Sequence, residues 1–145
     1  MNWKSEAIER LTKYTAMAQA VENIPKEISR LVCSVQELHG RKIEKVGGKK
    51  LPGPGDDVLI DNIIKRQELN QAYENAKVWV DTTDCALSVL NEEERKILER
   101  MYITPQRGVL GQLCTELGVE QSSIYRKRDQ ALYRFTIALY GALES

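Results

Sequence analysis

Apolar side chains recur along this chain at three- and four-residue steps, the spacing of one helix face. From Trp3 to about Asn23 the stripe consists of Ala7, Ile8, Leu11, Tyr14, Thr15, Ala18 and Val21. Pro25 costs a backbone bond inside a helix but suits a first turn. The pattern therefore predicts a break there and a second helix, with Ile28, Leu31, Val32, Val35 and Leu38 as its stripe, fading at His39-Gly40.

Residues 40–55, GRKIEKVGGKKLPGPG, interrupt the periodicity with five glycines and two prolines, and set Arg41, Lys42, Lys45, Lys49 and Lys50 against Glu44. This composition reads as a flexible basic loop. Gly48-Lys49-Lys50-Leu51 lacks the Ser/Thr and the upstream glycine of a phosphate-cradling loop, and no strand precedes it, so a solvated linker is the better reading.

Helical spacing resumes after Asp56 or Asp57, either of which suits an N-cap, and continues from Val58 to Leu90. Helix propensity falls at Asp81-Thr82-Thr83-Asp84, where a break is expected. A helix this long cannot bury its stripe alone. The 25–39 helix folded back antiparallel would cover it, and so would a second subunit, which makes a homodimer through the N-terminal helices one expectation.

Stronger local signals follow. Asn91-Glu92-Glu93-Glu94 has the cap-plus-acid spacing of a helix start, Ile97, Leu98, Met101 and Tyr102 form its apolar face, and Thr104-Pro105 ends it. A short helix over 109–117 meets Gly118, placed where a left-handed C-cap belongs, and a last helix runs from about Gln121 to Tyr140 before Gly141. The expectation is an all-α chain: an N-terminal arm of antiparallel long helices over 1–90, and a helix-turn-helix domain over 91–145.

Composition narrows the function. The chain has 145 residues with 21 Lys+Arg against 21 Asp+Glu, so any affinity for nucleic acid must come from local clustering. That clustering exists: over 121–140, Arg126, Lys127, Arg128 and Arg134 stand against Asp129 alone. Cys33, Cys85 and Cys114 lie far apart, without metal-ligand or disulfide spacing, and read as small buried apolar residues. His39 is the one histidine and reads as a surface residue at a helix end. No cofactor, metal site or catalytic constellation is expected, and an enzyme is not the reading. Without an apolar run of membrane length or a signal-peptide pattern, the expected location is cytoplasmic, away from the membrane.

The segments LNEEERKILERMY (90–102), LGQLCTELGV (110–119) and SIYRKRDQALYRF (123–135) together resemble region 4 of the bacterial sigma-70 factors, over about a third of the chain. In size and layout the whole chain also resembles the small phage late-gene regulators of the ArpU and RinA kind. The resemblance implies a sequence-specific regulator that binds double-stranded DNA in a bacterial host, an activator of phage or prophage late genes, with RNA polymerase as a further implied partner. By position in that motif, Gln121, Ser122, Tyr125 and Arg126 would face base edges, and Ser123, Lys127, Arg128 and Arg107 would reach phosphates. The chain departs from the family at Gln121, Ser122 and Tyr125, and at Lys127, where the motif is apolar. Two other readings fit the layout: a terminase small subunit that directs DNA packaging, and a protein-binding module contacting RNA polymerase.

Overall fold

The structure, a computed structural model, describes residues 2–44 and 54–141. The fold is all-α: the described residues form α1 (Trp3–Glu44), α2 (Pro54–Ser88), α3 (Glu92–Leu98), α4 (Val109–Leu117) and α5 (Gln121–Tyr140), and contain no strand. A π-helical turn, Glu99–Ile103, continues α3. Most of the expected basic loop, residues 45–53, lies outside the described residues, while 40–44 and 54–55 belong to α1 and α2. No helix among the described residues is long and apolar enough to cross a membrane.

Two expected breaks are absent. α1 runs unbroken through Pro25. A proline there removes the N–H that would bond the Val21 carbonyl and costs about 3 kcal/mol relative to alanine. Val21, Ile24, Ile28, Leu31, Val32 and Val35 are nevertheless half-buried on one face that passes Pro25 without a change of phase. Burial of a whole aliphatic side chain contributes about 1.5–3 kcal/mol. Half of that, summed over six residues, outweighs one lost bond.

α2 likewise runs straight through Asp81–Asp84, because tertiary partners replace what local propensity withholds. Thr83 is fully buried, its hydroxyl donating to the Trp79 carbonyl at 2.8 Å and accepting from Arg10 Nε at 2.8 Å. The Arg10 guanidinium also lies 4.7 Å from the centre of the Trp79 ring. Nearby, the Tyr14 hydroxyl donates to Asp84 Oδ1 at 2.5 Å.

The chain divides into two compact units, one of residues 1–18 with 78–145 and one of 19–77, so the boundary drawn from the sequence at 90/91 falls inside the first. In the second unit, α1 and α2 meet where Asn62 Nδ2 donates to the Leu31 carbonyl at 3.0 Å. Leu59, Asn62, Arg66, Leu69, Tyr73 and Ala76, alternating three- and four-residue steps, carry the covered face of α2. Cys33 and Cys85 are exposed and Cys114 is half-buried, which corrects the expectation that all three are core residues. Cys33 and Cys85 fall outside the buried stripe of their helices.

The first unit holds the larger core. Ala7 and Leu11 of α1, Ala86, Leu87 and Leu90 from the end of α2, Leu98 of α3, and Ala131, Leu132 and Phe135 of α5 form one buried cluster. A second cluster joins Ile97 of α3, Leu113 of α4 and Ile124 of α5. α3 opens with the expected capping box: Asn91 Oδ1 accepts from the Glu94 N–H at 2.7 Å, while Glu94 Oε1 accepts from the Asn91 N–H at 3.3 Å. At the other end the Thr104 N–H bonds the Glu99 carbonyl at 2.8 Å, a five-residue span that closes the π-turn just before Pro105.

Candidate nucleic-acid interface

The candidate interface is built on the turn between α4 and α5. Gly118 has φ 67° and ψ 32°, the left-handed conformation that a side chain with a Cβ resists, and its N–H bonds the Cys114 carbonyl at 2.9 Å. The Val119 N–H shares that carbonyl at 3.2 Å. The chain thus leaves α4 abruptly and re-enters a helix three residues later, with Leu113 and Ile124 both fully buried against Ile97. Cys114, Leu117 and Val119 close the edges of this small core. The bounds of α4 and α5, and glycines at 118 and 141 in the left-handed conformation, agree with the sequence pattern.

With Ile124 pointing inward, the opposite face of the first turns of α5 is left to solvent. Gln121, Ser122, Tyr125 and Arg126 are exposed and adjacent, at one-, three- and four-residue steps. Gln121 Nε2 lies 3.4 Å from the Tyr125 hydroxyl, a weak internal contact. Among the described residues Arg126 has no hydrogen-bond or ion-pair partner. Arg107, in the turn before α4, is exposed as well.

The rest of the basic cluster is committed elsewhere. Lys127 is half-buried and its ammonium is bonded to the Glu93 carboxylate of α3. Arg128 lies over the Tyr125 ring, 4.9 Å from its centre, and bonds Asp129 Oδ1 at 3.0 and 3.1 Å through two nitrogens. Arg134 reaches Glu94 at 3.0 Å. Ser123 is half-buried. Of the eight residues singled out from the sequence, the structure therefore gathers Gln121, Ser122, Tyr125 and Arg126 on one open face and leaves Arg107 exposed outside α5. It turns Lys127 onto α3, and it shares Arg128 between an aromatic ring and a carboxylate.

Sequence reasoning missed the neighbours that α1 brings to this face. Trp3, Lys4, Arg126, Asp129, Gln130, Tyr133 and Arg134 line a groove of about 490 Å³ beside the exposed stripe of α5. Lys4 bridges to Asp129 at 3.1 Å, and Trp3 meets Tyr133 edge-on with ring centres 6.1 Å apart. Partial burial works to raise the Asp129 carboxyl, but Lys4 and Arg128 outweigh it and hold the group below the ordinary carboxylate value. No sequence signal links Trp3 to Tyr133, because only the folded core brings them together.

Three acids of α3 and α4, Glu93, Glu94 and Glu116, are each paired with a cation. Glu116 accepts from Lys96 and from Arg100, each at 2.7 Å, and the Arg100 bond followed by the Lys96 bond keeps its carboxyl below the usual range. Comparison with protein families, with characterised proteins and with solved structures returns no match.

Proposed function

We propose that the chain is a sequence-specific double-stranded DNA-binding transcriptional regulator with α5 as its recognition helix. One observation carries this reading: the first turns of α5 present Gln121, Ser122, Tyr125 and Arg126 on one face with almost no structural duties, while the adjoining Lys127 and Ile124 hold the helix in place. Glutamine and arginine are the side chains whose paired donors and acceptors match adenine and guanine edges in the major groove. Docking by the second helix of such a pair is the usual geometry of helix-turn-helix proteins. The likeness of residues 90–135 to sigma region 4 supports the same reading. The layout of the phage late-gene regulators supplies its setting, activation of phage or prophage genes.

Binding of genomic fragments by the full chain, followed by sequencing, tests the proposal. Enrichment of sites upstream of an operon is the expected result, with a log–log salt slope of about 0.9 per phosphate neutralised. Absence of salt-dependent binding would sink it in favour of a protein-binding module. A ring-sized assembly by light scattering, bound within a packaging gene, would transfer the chain to the terminase small subunits.

A further inference from the structure

The groove beside α5 is lined by cations and by aromatic rings. Lys4 and Arg126 flank it, Trp3 and Tyr133 line it, and Gln130 is exposed between them with no bonded partner among the described residues. Four cations, Lys4, Arg126, Arg128 and Arg134, meet two carboxylates, Asp129 and Glu94, so the surface stays net positive after its internal bridges are made. Arg126 belongs to the groove and to the open face of Gln121 and Ser122 at once. The two surfaces are one continuous stripe.

Helix geometry says what must lie against it. From Ser122 to Tyr133 is eleven residues, or about 16 Å of axial rise at about 1.5 Å per residue. A major groove is about 12 Å wide. A helix that enters it by the first turns of α5, inclined across the groove, carries Gln130 and Tyr133 out past one sugar–phosphate strand. We infer that the Trp3–Lys4–Gln130–Tyr133 groove seats the phosphodiester backbone bordering the bases that α5 reads, so that the first turn of α1 forms part of the DNA interface. The inference rests on the DNA-binding reading and deepens it. The Gln130 amide, the Tyr133 hydroxyl and the Trp3 indole N–H are neutral donors suited to phosphate oxygens, and Lys4 supplies the charge. The seat takes any sequence, since backbone contacts position a duplex without specifying it.

The test uses the full chain and a short random-sequence duplex. Gln130→Glu places a new carboxylate at an exposed position and should lower affinity about tenfold near physiological salt. Lys4→Ala should reduce the log–log salt slope by up to about 0.9, one phosphate's worth where the duplex draws Lys4 away from Asp129, and Lys4→Arg should restore it. Ethylation of phosphates at the edge of the footprint should interfere with binding by the parent chain and cease to do so with Lys4→Ala. Unchanged affinity and slope in Gln130→Glu and Lys4→Ala, alongside weakened binding of the preferred genomic site by Arg126→Ala, would overturn the phosphate seat and leave the regulator reading standing. A parent chain without salt-dependent binding would overturn both.

Discussion

Arg126 and Lys127 are adjacent in the chain but differ in surroundings: Lys127 is bonded to Glu93 of α3, while Arg126 faces solvent with no bonded partner among the described residues. A helix turns about 100° per residue, so the two side chains diverge, and here one meets α3 while the other meets solvent. One fastens α5 to α3 and the other is available to a ligand.

Arg126→Ala should therefore weaken binding to the preferred duplex by about 1–3 kcal/mol and relax sequence choice, with the urea midpoint unchanged. Lys127→Ala should do the reverse. It should cost stability by about 0–1 kcal/mol, as half-exposed ion pairs do, and leave the salt slope of DNA binding where it was. Equal losses on specific and random duplexes for Arg126→Ala would remove that residue from base readout.

Gly118→Ala should destabilise the first unit by about 1 kcal/mol, measured by urea denaturation. A Cβ at this position meets no atom within 4 Å, so the loss is conformational and arises from φ 67° alone. Gly118→Asn, whose side chain tolerates the left-handed region better, should lose less. Equal stability of the alanine variant and the parent would mean that the turn does not need this conformation.

The contrast between these two sites and α1 shows which parts of the fold were legible. The Asn91 capping box, Thr104-Pro105, Gly118 and Gly141 act through the backbone within a few residues, and the helix bounds they imply agree with the structure. Pro25 and Asp81–Asp84 are equally local signals, but tertiary partners override them: a half-buried face in one case, Arg10 and Tyr14 in the other. Lys127 could be seen to stand at an apolar position of the motif, but its partner Glu93 lies 34 residues away and leaves no local trace. The Trp3–Tyr133 pair is further still from any pattern.

Pro25→Ala should strengthen α1 by up to about 3 kcal/mol, since alanine restores the bond to the Val21 carbonyl in a helix already formed on both sides. Hydrogen exchange is the direct readout, with slower exchange expected for amides over 21–29. Faster exchange there would mean that the proline stabilises a bend that the helix needs.

Alkaline pH should expose the bond between α1 and α2 near the core of the first unit. The Tyr14 phenol donates to the Asp84 carboxylate, and this hydrogen bond, then partial burial and the nearby negative charge, push its pKa from 10.0 to about 12. A proton is thus held more tightly in the folded than in the unfolded chain. The stabilisation is complete below pH 10 and disappears as the pH rises through about 12. In absorbance titration of the six tyrosines, Tyr14 should ionise near pH 12, while Tyr102, which burial raises, should also ionise late. Asp84→Asn removes the carboxylate charge but keeps an acceptor in place, so the Tyr14 step should move toward 10 and the alkaline loss of stability should shrink. A step that stays near pH 12 in Asp84→Asn would assign the Tyr14 shift to burial and not to the carboxylate.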